Sequence, residues 1–166
     1  MLTAAACEFP DAAASADAQS EASPSETSPS EAPFPPEGIV TDQADLLTDD
    51  EAAAITARIA SFEETTGHQI AVVTTASLGG IDIGEYTDNL GNAWGVGRAG
   101  INDGMVLLLA PNERQARISV ADGLLERLPD SMSEQIMQRY LLPNFKRGRY
   151  YEGIDSAIDA IIAGLT

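Results

Sequence analysis

Asp103 and Asp122 are the residues whose spacing points most directly to chemistry. The nearly continuous apolar run at 104–110 and the run at 115–120 predict a β-hairpin joined by the loop 111–114. In that register Asp103 lies directly opposite Asp122, and like charges in such a pair destabilise the strands. A hard divalent cation, which prefers oxygen ligands, would relieve the repulsion. The sequence therefore predicts a metal site at the open end of the hairpin, and two hydrated acids at the strand ends are the alternative.

Further oxygen donors lie near this pair in the sequence. The Asn102 amide comes directly before the first aspartate, and Glu126 and Asp130 follow the hairpin closely enough to reach the same end. Asp42 and Asp45 precede the first predicted helix, where aspartates commonly form turns and caps. We expect that role for them, and they become further candidates for the ion only if their segment folds back to the same end of the sheet.

The other polar and aromatic candidates have plainer interpretations. His68 is the single histidine, and its place between a glycine and a predicted strand indicates an exposed residue at the strand entry. Trp94, the single tryptophan, is predicted to be a core or cleft-wall residue. Four basic residues are interpreted as a hydrated helix edge that could receive a phosphate or an acidic partner: Arg139, Lys146, Arg147 and Arg149.

The sequence has few of the residues and motifs that a hydrolytic enzyme needs. The single cysteine is Cys7, in the N-terminal tail, which argues against a cysteine phosphatase. Neither an Arg-His-Gly signature nor an Asp-x-Asp-x-Thr motif is present, and one histidine is too few for the usual dinuclear metal hydrolase. What remains is hydrolysis assisted by one calcium or magnesium ion held by carboxylates. A non-enzymatic role is therefore preferred.

The first half of the folded region predicts a helix, a strand and a second helix. Thr48 followed three residues later by Glu51 is a capping box, and Gly67 is placed to close the helix that it opens. The β-branched residues of 69–75 predict a strand. Apolar residues at helical spacing predict a second helix over 82–94, so the unit that leads to the next strand should have the usual right-handed crossover.

The second half is predicted to end in helices. Ser131 and Glu134 form another capping box, and Pro143 is expected to end the helix that they open. A final helix from about Arg149 carries its isoleucines along one side. Together these elements predict an α/β fold, a three-layer αβα sandwich with a short mixed β-sheet of about four strands flanked by helices.

Composition divides the chain into two parts. Residues 8–37 consist mainly of Ala, Ser, Pro and Glu, carry seven of the 26 acidic residues and contain no Lys or Arg. Such a stretch buries too little apolar surface to fold, so 1–37 is expected to be a disordered tail and stalk, and 38–166 one domain. That domain keeps 19 acidic against nine basic residues. The negative charge argues against nucleic acid or anionic lipid as a partner and leaves metal cations and basic proteins open.

Cys7 follows Met-Leu-Thr-Ala-Ala-Ala and opens the stalk, an arrangement typical of the end of a bacterial lipoprotein signal. Ala4 stands where such signals usually carry Leu, and six residues are too few for a whole signal, so we interpret the segment as a truncated remnant. It predicts an exported chain held to the cell envelope, on the periplasmic or extracellular face, by a lipid on Cys7. An unmodified cysteine is the alternative, and mass spectrometry of the protein from its native host distinguishes the two.

Four short stretches of the chain resemble the TPM family, named for thylakoid-lumen, photosystem-assembly and nematode receptor-associated members. In order and spacing they cover about residues 38–165. The stretches are Val40–Leu47, Trp94–Gly97, Asn102–Leu109, and Leu128–Asp130 with the later Tyr150–Gly153.

The resemblance implies an αβα sandwich, export or membrane attachment, a divalent cation, usually calcium, in a surface cleft, and a phosphatase label on some members. The family usually has Gly-Leu-Glu after the third strand, whereas this chain has Gly123-Leu124-Leu125 with Glu126 one place later. The expected function is that of a monomeric, tethered cation-binding domain that assists the assembly or maintenance of an envelope protein complex. A weak metal-dependent acid phosphatase and a cation-independent protein-interaction module are the alternatives.

Overall fold

A four-stranded sheet runs through residues 36–166, the part of the chain that this computed structural model describes. Strands β1 to β3 are parallel and β4 is antiparallel to β3, in the spatial order β1-β2-β3-β4. The strands are β1 (Val40–Asp42), β2 (Gln69–Thr74), β3 (Gly104–Ala110) and β4 (Gln115–Val120). The helices are α1 (Asp49–Thr66), α2 (Ile83–Trp94), α3 (Asp130–Ile136), α4 (Leu142–Phe145) and α5 (Tyr150–Leu165). This confirms the mixed α/β prediction.

The two faces of the sheet build two separate cores, because successive side chains of a strand point to opposite sides. On one face Val72 and Leu107 pack with the buried stripes of α1 and α5. On the other face Val73 and Leu108 pack with Tyr86 and Leu90 of α2. Strand β3 is buried along its whole length, as expected of a central strand covered on both sides. The predicted three-layer αβα sandwich is therefore confirmed.

The two parallel connections of the sheet have opposite hands. Both β1-α1-β2 and β2-α2-β3 lead in the same direction along the sheet, yet α1 and α2 cover opposite faces. The right-handed rule can therefore hold for only one of them. Two connections of the same hand would place α1 and α2 on one face of the sheet, whereas the opposite hands place one helix on each face.

Local sequence signals account for most of the element ends. Thr48 and Glu51 form the predicted capping box at the start of α1, and Gly67 ends that helix in the left-handed conformation, with φ 80°. The N-cap of α2 is Asp82, whose side chain accepts hydrogen bonds from the amides of Gly84 and Glu85.

Two predictions about the later helices were wrong. Helix α3 has Pro129 as its N-cap and no side-chain cap, so Ser131 lies inside the first turn instead of capping it. Pro143 lies in the first turn of α4 instead of ending a helix, since a proline is tolerated where its missing N–H has no helical partner. A π-helical turn, Met137–Leu141, joins α3 to α4 and shifts the hydrogen-bond register ahead of the proline.

No helix among residues 36–166 is both long and apolar enough to span a bilayer.

Candidate functional site

A cleft of about 400 Å³ opens between α2, the loop that follows it and the edge strand β4. Two of the predicted metal ligands, Asn102 and Asp122, line it. Two residues that the sequence analysis did not select, Asp88 and Asn92 of α2, line it as well. Positions i and i+4 of a helix share one face, so the two α2 side chains present their oxygen atoms to the same side.

The polar side chains that line this cleft carry oxygen atoms that could bind a metal ion. Asp88, Asn92, Asn102 and Asp122 are all exposed, and the Ser119 hydroxyl donates to the Asp88 carboxylate at 2.6 Å. Carboxylate and amide oxygens fit a hard cation such as Ca²⁺, which takes six to eight of them. Within residues 36–166 no group of three or more His, Cys, Asp or Glu side chains is placed to hold a metal ion. A cation here would therefore rely on amide, backbone and water oxygens as well.

Close backbone contacts position the residues of the cleft. The Asn102 amide donates to Arg98 O at 2.9 Å, and the Asn102 carbonyl accepts from Gly123 N at 2.9 Å. A Cβ atom added at Gly123 would lie 2.7 Å from the Asn102 carbonyl oxygen, and one at Gly104 would lie 2.6 Å from the amide nitrogen of Gly97. Real Cβ atoms essentially never approach other atoms within 3.0 Å. Glycine at 104 and 123 therefore lets the loop lie against β3 and the turn after β4.

The hairpin register was predicted correctly, but Asp103 does not need an external cation. The cross-strand pairs Met105–Val120 and Ala110–Gln115 follow the predicted register, and Gly123 N bonds to Asn102 O beyond them. Asp103 is only 1% exposed, and its carboxylate accepts hydrogen bonds from the Arg98 amide at 2.8 Å and from two guanidinium nitrogens of the same residue.

Arg98 thus supplies the positive charge that the sequence analysis assigned to a metal. Burial acts to raise the pKa of the Asp103 carboxyl, but hydrogen bonds from Arg98 and His68 outweigh it and lower the pKa to about 2. The same contact raises the pKa of the Arg98 guanidinium. Asp103 pairs with Arg98 and is not among the residues that line the cleft, whereas Asp122 lines it.

His68 was wrongly predicted to be exposed. Its side chain is 14% exposed, and its Nδ1 lies 3.3 Å from Asp103 Oδ2. Its ring packs near Phe62, with 6.1 Å between the centroids. Beside it, Gln69 donates to Glu63 at 3.1 Å and accepts from the Gly97 amide at 2.7 Å. These contacts fasten the loop after α2 to the start of β2.

Asp42 and Asp45 lie far from the cleft. Asp42 is level with Thr74 and Leu109 in the sheet, which places it six residues from Asp103 along β3. At about 3.3 Å per residue that is roughly 20 Å, so the two carboxylates cannot share an ion. The Asp42 carboxylate accepts from the amides of residues 46 and 47, at 3.1 and 2.8 Å, and from the Thr74 hydroxyl. This is the expected turn role, and Asp45 is an exposed turn residue with φ 52°.

The remaining candidates have separate places. Glu126 and Asp130 are exposed, Asp130 as the first residue of α3, and neither lines the cleft. Trp94 is partly buried against the core beneath α2, as a core or cleft-wall residue should be. Cys7 lies outside the described residues, so its acylation stays a prediction.

Comparison with known protein families decides the family. The family model described as the TPM domain matches residues 40–164, most of the chain. The chain belongs to the TPM domain family. No match was found among curated proteins.

Solved structures of three bacterial proteins share the fold. The solution NMR structure of the N-terminal domain of a P. gingivalis protein is 31% identical, with a TM-score of 0.72, over 76% of this chain and 81% of that one. The N-terminal domain of a Corynebacterium glutamicum protein is 18% identical, with a TM-score of 0.62, over 78% and 81%. A protein from the psychrophilic bacterium Bizionia argentinensis is 19% identical, with a TM-score of 0.64, over 74% and 83%.

The stretches that carried the family resemblance include residues that hold the loop after α2 in place beside the cleft. In Trp94–Gly97 and Asn102–Leu109, the residues Gly97, Asp103 and Gly104 make the contacts that hold the loop to the sheet. Asp88 and Asn92 fall outside these stretches. Their spacing of four residues on a predicted helix was the one signal that could have paired them.

Proposed function

We propose that this TPM domain binds a divalent cation, of which calcium is the best candidate, in the cleft lined by Asp88, Asn92, Asn102 and Asp122. The observation that carries the proposal is the convergence of two carboxylates and two amides from α2, the following loop and the turn after β4. Because only two of the side chains are charged, we expect a weak site, with a dissociation constant of about 0.1 to 1 mM. That affinity suits the calcium levels of an extracellular compartment.

Calcium titration of the full chain, followed by NMR, tests this proposal. We expect calcium to shift the amide resonances of Asp88, Asn102, Ser119 and Asp122, with saturation in the millimolar range. Asp88→Asn and Asp122→Asn should each weaken binding about tenfold or more, because each removes one of the two charged ligands.

The matched control is Glu85→Gln, which removes an exposed charge from the same helix but outside the cleft. It should leave the calcium affinity within about twofold of the wild type. Absence of calcium-dependent shifts at the cleft residues at about 10 mM calcium would refute the site.

The wider role that we propose is that of a tethered module for the assembly or maintenance of an envelope protein complex. It rests on family membership, on the acidic charge of the domain and on the predicted lipid anchor at Cys7. Co-purification from detergent-solubilised membranes, with and without a chelator, distinguishes a cation-dependent module from a cation-independent one. Equal recovery of partners in both conditions would favour the cation-independent alternative.

Weak metal-dependent phosphatase activity is the enzymatic alternative. Among residues 36–166 the cleft offers carboxylate, amide and hydroxyl oxygens but no cysteine or histidine side chain. Without a histidine to activate a hydroxyl, we expect hydrolysis to depend on water activated by the bound cation. Turnover of p-nitrophenyl phosphate that is lost in Asp122→Asn and retained in Glu85→Gln would support this alternative.

A further inference from the structure

Ile101 is an apolar side chain that the protein exposes beside the cation cleft, the cleft of the proposed calcium site. Among residues 36–166 it is the most exposed of the large hydrophobic side chains, at 51%. The next residue, Asn102, lines the cleft together with Asp122, and the Ile101 carbonyl oxygen lies against Gly123. An exposed apolar side chain and the carboxylates of Asp88 and Asp122 therefore adjoin the same cleft.

The turn that carries Ile101 is held in place, so its side chain stays outside the core. The amides of Ile101 and Asn102 both donate to the Arg98 carbonyl oxygen, at 3.1 and 2.9 Å, and the Arg98 amide donates to Asp103 at 2.8 Å. Gly100 and Asn102, on either side of Ile101, have positive φ angles of 81° and 53°. Positive φ is uncommon for residues other than glycine, and asparagine is among the exceptions. The fold thus fixes an apolar side chain in water, where burial against a partner would be favourable.

The charge beside Ile101 is negative, and the protein itself does not neutralise it. Asp88 and Asp122 form no ion pair within residues 36–166, and no Lys or Arg of this part of the chain lines the cleft. Two nearby arginines are already engaged, Arg98 by a buried carboxylate and Arg127 by a backbone carbonyl oxygen at 3.3 Å. Such a surface attracts a lysine or arginine side chain and repels nucleic acid and anionic lipid.

We propose that Ile101, Asp88 and Asp122 form a docking surface for a basic segment of a partner protein, in which an apolar side chain neighbours a lysine or arginine. The apolar side chain packs on Ile101, and the two carboxylates hold the cationic group. The inference rests on the proposed function, since it gives the chemistry of the partner that the assembly module binds. Calcium competes with the segment, because both use the same two carboxylates.

NMR titration of the full chain with a short synthetic peptide tests the docking surface. The peptide is acetyl-Lys-Leu-Lys-Leu-Lys-amide, in a buffer with chelator. Two control peptides carry Glu in place of Lys or Ser in place of Leu. We expect the basic peptide to shift the amides of Ile101, Asn102 and Asp122 with a millimolar dissociation constant, and the control peptides to bind about threefold more weakly or less.

Ile101→Ser should weaken binding of the basic peptide about fivefold, because it removes the apolar contact. It should leave the calcium affinity within about twofold of the wild type, since Ile101 is not among the residues that line the cleft. Ile81→Ser is the matched control. Ile81 is 44% exposed and lies between β2 and α2, at the other end of the parallel strands. This variant should bind the basic peptide as the wild type does.

The outcomes separate the docking surface from the calcium site. Calcium-dependent shifts at the cleft with no shifts from the basic peptide at about 10 mM would overturn the docking surface and leave the calcium site standing. Peptide binding without any calcium-dependent shift would support the docking surface and refute the calcium site. If both bind, calcium at matched ionic strength should weaken peptide binding, and unchanged affinity would overturn the shared use of the carboxylates. Equal losses in Ile101→Ser and Ile81→Ser would overturn the docking surface as well.

Two other occupants of this surface would be recognised in the same experiment. Shifts at Ile101 that depend on the concentration of the protein alone would indicate a second copy of the chain. Shifts produced by phosphatidylcholine vesicles and not by the basic peptide would indicate a lipid surface. Either result would overturn the proposal.

Discussion

Gly123→Ala is expected to destabilise the domain by about 3 kcal/mol and to weaken the cation cleft at the same time. The added Cβ would lie well inside 3.0 Å of the Ile101 carbonyl oxygen and 2.7 Å from that of Asn102. Both are backbone atoms, which cannot rotate away as a side chain can, so the loop must move. The measurement is the free energy of unfolding by urea at pH 7, with calcium-dependent NMR shifts as the second readout.

Gly164→Ala is the matched control for this substitution. Its new Cβ would meet the flexible end of Met132, with the nearest atom at 3.1 Å, and the glycine lies within helix α5. Helix propensity favours alanine there by up to about 1 kcal/mol, which offsets the mild crowding. We therefore expect little change in stability for Gly164→Ala. Equal stability of the two variants would mean that the close approach at Gly123 does not hold the loop.

Asp103→Asn is expected to lower the free energy of unfolding by about 2 kcal/mol at pH 7. The folded-state pKa of about 2, against an ordinary value of 3.8, means that the carboxylate is more stable in the folded protein than in the unfolded chain. For a lowered pKa this stabilisation is complete above about pH 4 and is lost as the pH falls to about 2. Urea unfolding between pH 7 and pH 2 should show the gap between wild type and variant closing over that window.

Asp159→Asn provides a control that also removes an aspartate paired with an arginine. Asp159 lies 2.6 Å from Arg58, but its side chain is 63% exposed. An exposed ion pair contributes no more than about 0.5 to 1 kcal/mol, so this variant should lose much less stability than Asp103→Asn. Similar losses in the two variants would contradict a special role for the buried carboxylate.

The Gly123→Ala and Asp103→Asn variants test two different kinds of contact that position the loop after α2. Glycines at 104 and 123 allow backbone segments to touch, while the Asp103–Arg98 pair ties the loop to the start of β3. Both act on the position of Asn102, which lies in that loop and lines the cleft. If the cleft binds calcium, variants of Gly123 and Asp103 should alter binding through geometry, since neither residue is among those that line the cleft.

Much of the fold could be predicted from the sequence because its signals are local. The capping box at Thr48, the apolar run of β3 and the hairpin register depend on residues close in sequence, and the structure confirmed all three. The short strand β1 was not predicted, since three residues carry too little pattern to be recognised without their partner strand.

The sequence by itself therefore determined the αβα architecture, the family and the register that sets Asp103 opposite Asp122. Only the tertiary structure decided which charges meet. It turned Asp103 towards Arg98 and His68, brought Asp88 beside Ser119, and left Asp42 at the other end of the sheet. The pairing of β1 with β2 places Asp42, and the packing of α2 against β4 places Asp88. The contacts of Asp103 depend on the path of the loop after α2. Close backbone packing at glycines sets that path, and no local periodicity records it.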